Sequence, residues 1–238
     1  MINNDLKYYL SNKDQYFNND PFPHWVIDGM FNEKKLNKIS STQDLLKNAL
    51  KAQSDGWGIS VFDNELEGKI GINNVSSNKV QDYLKYLNSE IFINFLTEMT
   101  GINNLVPDNE YIGGGLHMIP KGGRLGVHID FTKHQNMPDL WRRCNVLLYL
   151  NKGWKNEWNG HLELWDNPRK KGGKCVKKIK PLFNRLVIFG TLRSSWHGHP
   201  ENLKCPDNRM RCSLATYYYS KESSEDNSEH STIFAENI

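Results

Sequence analysis

Gly126-Val127-His128-Ile129-Asp130-Phe131, GVHIDF, sets a histidine and an aspartate one residue apart inside an otherwise apolar run. On an extended strand successive side chains point to opposite faces, so His128 and Asp130 would stand side by side on one face. That spacing suits chelation of a metal ion. A half-exposed strand also alternates polar and apolar residues for purely structural reasons, so the pair takes its meaning from what the rest of the chain brings to it.

Around this stretch the period of the chain changes. From Tyr111 onward, short apolar or alternating runs lie near 111–119, 124–131, 142–151, 160–166, 174–181, 185–191, 196–203 and 211–220, separated by Gly, Pro, Asn and Lys clusters. Eight short strands at such spacing predict a double-sheet jelly roll. Upstream, residues 78–100 place Val80, Tyr83, Leu84, Leu87, Ile91, Phe92, Phe95, Leu96 and Met99 at helical spacing. Gly101 follows, where a helix end favours a residue tolerant of positive φ. A less regular helix is expected from about Asn32 to Gln53, after PHWVIDGMF, which reads as a strand running into a turn. The fold class is therefore mainly β with flanking helices: a double-stranded β-helix (jelly-roll) core of about eight strands supported by N-terminal α-helices. Residues 1–220 read as one domain, with 1–110 a mainly helical flank and 111–220 the core. Residues 221–238, KESSEDNSEHSTIFAENI, have the polar composition of a loosely held tail.

For 238 residues a net charge of +3 is small, which argues against a whole-molecule nucleic-acid or membrane-surface binder. The amino terminus lacks the apolar core of a signal peptide, and no window approaches transmembrane length, so a soluble cytoplasmic protein is expected. Cys144, Cys175, Cys205 and Cys212 show no CxxC spacing and read as buried or free thiols. The basic stretch PRKKGGKCVKKIK, residues 168–180, reads as a hairpin with a solvated face.

A metal at His128 and Asp130 needs a third ligand from a distant strand. Among the candidates, His161 alternates with Glu163 and Trp165 and reads as a rim residue. His134 lies in a polar loop, and His117 could be a satisfied histidine lining the barrel. In RLVIFGTLRSSWHGHP an apolar strand ends in Trp, His and Gly, which places His197 at the barrel mouth, with His199 in reserve and expected to point away. Two histidines and a carboxylate on one side of a metal leave positions open for a cosubstrate and oxygen, as in non-haem Fe(II) oxygenases. A structural zinc site closes its sphere instead.

In order, His128-x-Asp130, NVLLYLNKGW, GHLELW, NRLVIF, WHG and RCSLATYYY resemble the 2-oxoglutarate and Fe(II)-dependent oxygenase superfamily, most closely its prolyl 4-hydroxylase-like branch. The resemblance spans roughly 111–220, and PFPHWVIDGMF is similar to that branch's amino-terminal strand. It implies that His128, Asp130 and His197 are the metal and catalytic ligands. It also implies that Arg211, opening the last core strand, pairs with the far carboxylate of 2-oxoglutarate, with Arg209 on the same face as a rival. Tyr149 would donate its hydroxyl to that carboxylate or simply fill core, Asn145 would line the pocket near the metal, and Leu162 would supply apolar wall. Trp141, Trp154 and Trp158 are candidate substrate contacts flanking the mouth, or simple packing. The implied cofactors are Fe(II), 2-oxoglutarate as cosubstrate, O2 and ascorbate. The implied reaction is hydroxylation of an unactivated C–H bond with decarboxylation of 2-oxoglutarate to succinate, and Asp130 favours this over halogenation, since halogenating relatives lack the carboxylate. A peptidyl prolyl residue is the first-choice substrate; a free amino acid, a sugar or another small molecule stands as the alternative. Nucleic-acid dealkylases carry a second arginine six positions after the anchor, where this chain has Tyr217. A non-enzymatic metal- or ligand-binding jelly roll is the rival of another class, and it would have no use for Arg211 and Tyr149 aimed inward.

Overall fold

The computed structural model describes residues 1–39, 45, 59–61, 70–72, 78–223 and 228–235. The eight expected runs form eight strands: β5 (Gly115–Pro120), β6 (Leu125–Ile129), β7 (Trp141–Tyr149), β8 (Leu162–Asp166), β9 (Lys174–Ile179), β10 (Arg185–Gly190), β11 (Trp196–His199) and β12 (Met210–Ser220). They divide between two antiparallel sheets. Upstream strands β1 (His24–Asp28), β2 (Ile59–Val61), β3 (Ile70–Ile72) and β4 (Val106–Pro107) join the first sheet, which runs β1-β10-β7-β12-β5-β3-β2 with β4 also on β12. A last strand, β13 (Ile233–Phe234), opens the second sheet, β13-β6-β11-β8-β9.

The segment read as a mainly helical flank is thus mixed, because β1 pairs with β10 and the β2–β3 pair with β5, lining both edges of the first sheet. An edge strand carries unpaired N–H and C=O groups, and adding a strand satisfies them. The tail differs from expectation for the same reason. Ile233 and Phe234 pair with Ile129 and His128, and Ala235 N–H donates to the Val127 carbonyl at 2.8 Å. A polar composition made this segment look loose, yet the free edge of β6 holds it in place.

Every residue of β12 after Met210 is buried, because both faces of the first sheet are covered. Outward-facing Cys212, Leu214 and Tyr218 join a helix-side core with Leu84, Leu87, Phe92, Phe95 and Leu96. Inward-facing Arg211, Ser213 and Tyr217 line a cavity between the sheets. The helical run 78–100 is two helices, α4 (Asn78–Leu87) and α5 (Glu90–Thr100), after the short α1 (Leu6–Leu10), α2 (Asp14–Phe17) and α3 (Glu33–Leu36). The break falls at Ser89, whose extended backbone and hydroxyl, accepting from Phe92 N–H, make it the N-cap of α5. Apolar spacing continues across that break, so periodicity alone ran the two together. Gly101 ends α5 in the left-handed conformation at φ 68°, and Tyr218 Oη donates to the Leu87 carbonyl at 2.7 Å, tying α4 to β12. Of the helix expected over 32–53, α3 and a 3-10 turn at Asn37–Ile39 are present and Leu45 is helical and buried; the remainder lies outside the described residues.

Candidate active site

β6 and β11 are neighbours in register, with His197 opposite His128. Asp130 follows at the end of β6, and ligand atoms of His128, Asp130 and His197 all lie within 4.8 Å of one another. His128 Nε2 is 3.5 Å from Asp130 Oδ1, and His197 Nε2 is 3.6 Å from Oδ2. Each histidine turns its Nδ1 to a backbone carbonyl two residues back, Gly126 O and Ser195 O, both at 2.8 Å. A carbonyl only accepts, so Nδ1 carries a proton and Nε2 is the ring atom turned toward Asp130. Gly198 lets the strands meet this closely, since a Cβ there would come within 2.6 Å of the Gly126 carbonyl oxygen.

Burial lowers the His197 pKa to about 4, with Asp130 opposing the shift and His128 reinforcing it. The ring is therefore neutral and fit to ligate at ordinary pH. Burial also acts to raise the Asp130 pKa, but the Arg142 guanidinium, His197 and His128 together overcome it and hold the carboxyl well below its usual range. Two imidazole nitrogens and one carboxylate, converging on one point, fit a divalent metal with open positions.

The triad opens into a cavity of about 610 Å³ that also reaches Arg211, Leu162, Asn145, Phe189 and Ser213. Arg211 is 4 % exposed. Its Nε donates to the Gly160 carbonyl at 2.7 Å, and Nη2 to Tyr149 Oη at 3.1 Å. Because Tyr149 accepts there, its own proton is left to donate elsewhere. Burial raises the Tyr149 pKa, partly offset by Arg211, so the phenol keeps that proton. Gly160 sits at φ +76°, and a Cβ would press on Leu203 Cδ2 at 2.5 Å and Arg211 Cδ at 3.1 Å. Arg209, the rival anchor, lies outside: its guanidinium stacks over Trp158 and bonds the Lys152 carbonyl.

Asn145 does line the cavity near the triad, as expected, and bonds Asp130 and Arg142 there. Other expected residues are placed differently. His199 does not point away. Two residues along β11 is the same face, and it lines the cavity, although it stands outside the ligand cluster. Trp141, Trp154 and Trp158 are not cavity-lining residues. Trp154 is buried against Trp158, Ile119 and Leu203, with Nε1 donating to Asn159 O, while Trp141 carries Lys133 over its ring. The aromatic surface of the mouth belongs instead to Phe131, Tyr217 and Phe234. Of these, Phe234 packs against the His128 ring at 5.3 Å. In the basic stretch, Lys178 pairs with Glu163 at 2.7 Å and Glu201 at 3.0 Å, and Arg169 donates to the Phe234 carbonyl.

Residues 114–219 match the family model described as the 2OG-Fe(II) oxygenase superfamily. That matched region contains the His128, Asp130 and His197 cluster, and the match supports an Fe(II)- and 2-oxoglutarate-dependent dioxygenase. Its fold is that of prolyl hydroxylases. A prolyl hydroxylase from Trichoplax adhaerens, solved with a hypoxia inducible factor peptide fragment, is 20% identical with a TM-score of 0.57, over 90% of this chain and 91% of that one. A Pseudomonas putida prolyl-4-hydroxylase is 15% identical with a TM-score of 0.56, over 88% and 97%. The viral collagen prolyl hydroxylase of Paramecium Bursaria Chlorella virus-1 is 13% identical with a TM-score of 0.52, over 84% and 98%. No helix among the described residues is long and apolar enough to cross a membrane.

Proposed function

We propose that this dioxygenase hydroxylates a prolyl residue within a peptide, turning 2-oxoglutarate into succinate and carbon dioxide as it does so. The observation that carries the reading is a single cavity with an open His-Asp-His set at one place and, at another, a buried arginine bonded to a carbonyl and a phenol, both neutral. His128, Asp130 and His197 would hold Fe(II), which supplies activation of dioxygen once 2-oxoglutarate is bound. Arg211 would take the far carboxylate of the cosubstrate in two parallel hydrogen bonds, and the Tyr149 hydroxyl would donate to it as well. Leu162 and Phe189 provide apolar wall that excludes water from the reacting atoms. Phe131, Tyr217 and Phe234 offer ring faces to an apolar or cyclic side chain, while Gln135 and Asn136 offer amides suited to a peptide backbone. Ascorbate would serve as the reductant that keeps the iron ferrous.

The test is mass spectrometry of prolyl peptides and of cell extracts for the gain of one oxygen, with succinate measured in parallel. Peptide oxidation that requires both Fe(II) and 2-oxoglutarate supports the proposal. Oxidation confined to free amino acids, sugars or other small molecules replaces the substrate while keeping the reaction. A protein that binds metal but never consumes 2-oxoglutarate removes the reaction too.

A further inference from the structure

On a regular strand Arg142 and Asn145, three residues apart, would face opposite ways. In β7 they share a face, because Tyr218 pairs with Cys144 but the next residue, Tyr219, pairs with Arg142. Arg143 is the extra residue of a β-bulge, a device that re-aims side chains beside functional sites. It is diverted to Ser220 Oγ at 2.7 Å and the Glu222 carbonyl at 2.6 Å. Arg142 is thereby delivered into the cavity, 3 % exposed. Its guanidinium lies 3.5 Å from the centre of the Tyr217 ring and 4.6 Å from that of Phe131. From there Arg142 Nε donates to Asn145 Oδ1 at 2.9 Å, Asn145 Nδ2 donates to Asp130 Oδ2 at 2.7 Å, and Arg142 Nη2 forms an ion pair with that same Oδ2 at 3.1 Å.

The direction of these bonds is informative. Arg142 can only donate, so the oxygen of the Asn145 amide must face it and the NH2 must face Asp130. Both groups act on one carboxylate oxygen, Oδ2, which also faces His197 Nε2 at 3.6 Å, whereas Oδ1 takes no bond from either of them and faces His128 Nε2 at 3.5 Å. We propose that Arg142 and Asn145 are positioning residues that make Asp130 a one-oxygen ligand: Asn145 occupies Oδ2, and Arg142 orients the Asn145 amide and balances the carboxylate charge. A carboxylate free to bind through both oxygens would take up a second coordination position, one that the cosubstrate or oxygen needs. This inference rests on the reading of the triad as an iron site.

The experiment uses the full chain, with Mn(II) binding measured by calorimetry and the visible spectrum of the Co(II)-loaded protein recorded for wild type, Asn145→Ala, Asn145→Ser and Arg142→Lys. Asn145→Ala is expected to weaken Mn(II) binding about 10- to 100-fold and to change the Co(II) spectrum, which reports coordination number. Asn145→Ser keeps a donor and should recover part of both. Arg142→Lys keeps the charge without the planar fork, so a smaller loss in the same direction is expected. A merely structural role would lower the melting temperature of the metal-free variants and leave the Co(II) spectrum alone, and that result would overturn the proposal. So would Mn(II) affinity within about twofold of wild type in an Asn145→Ala protein shown by circular dichroism to be folded. If Arg142→Lys fails to fold, the Asn145 pair decides. Wild type that binds no Mn(II) would bring down the iron reading first and this inference with it, whereas binding wild type with unaffected variants overturns this inference alone.

Discussion

Two buried arginines line one cavity, and they keep different company. Arg142 stands 3.1 Å from the Asp130 carboxylate, so its charge is balanced within the protein. Arg211 touches a carbonyl and a phenol, both neutral, and among the described residues no carboxylate pairs with it. A buried charge without a counter-charge is costly, and a fold retains one where a ligand brings the missing partner. Under the proposed function, the contrast separates an arginine that serves the structure of the site from one that would take an anion. Under that reading it would also separate a 2-oxoglutarate enzyme from a bare metal-binding barrel.

Substitution at the anion-seeking end should give the largest effect. Leaving the far carboxylate of 2-oxoglutarate buried and unpaired would cost about 3 to 5 kcal/mol, so Arg211→Ala should weaken cosubstrate binding ~100- to ~4000-fold while metal affinity barely changes. Arg211→Lys should retain part of the binding and lose the two-bond geometry. Arg209→Ala, made at a residue stacked outside on Trp158, should leave the titration near wild type. All three are read by titrating the Mn(II) form with 2-oxoglutarate, and a larger loss for Arg209→Ala would dissolve the contrast drawn here.

A gentler probe acts through the wall that positions Arg211. Gly160→Ala would strain a backbone at φ +76° and push on the Arg211 side chain. A loss of about 1 to 3 kcal/mol in stability is expected from chemical denaturation, with a weaker 2-oxoglutarate titration alongside. At the other end, chelating the metal should lower the melting temperature by only a few degrees, because the triad sits on paired strands built independently of the ion. Cooperative unfolding on chelation would show that the metal holds the barrel together. The smallest effect is expected from Phe234→Ala, which removes a ring from beside His128 at the edge of the second sheet. It should raise KM for the substrate several-fold and leave 2-oxoglutarate binding nearly unchanged; a change in the opposite pattern would move Phe234 to the cosubstrate side.

Much of the core was legible from residue pattern alone. The eight runs from Tyr111 to Ser220 correspond to β5 to β12, since a strand's side-chain period is a local property that the sequence carries in plain sight. His128 and Asp130 announced themselves by spacing and His197 by its place at the end of an apolar strand, while the identity of Arg211 as the inward arginine leaned on resemblance to a family. The ring residues Phe131 and Phe234 had no comparable signal, and tryptophans at loop bases drew attention that packing explains. Helix α4 ran into α5 on paper because apolar spacing does not reveal where a serine caps.

What the chain determined by itself was therefore the alternation of each strand and the chemistry available on each face. What only the tertiary structure decided was how strands register against partners far away in sequence. Counting back in twos from Tyr149 reaches Leu147, Asn145 and then Arg143, yet it is Arg142 that enters the cavity, because the bulge opposite Tyr218 and Tyr219 shifts the alternation by one residue. Likewise Ile233 and Phe234 lie in a segment too polar to suggest a strand, and they become one because β6 offers a free edge beside His128. Hydrogen bonding between strands is a relation between distant segments, so a property that arises from the pairing is written in neither segment alone.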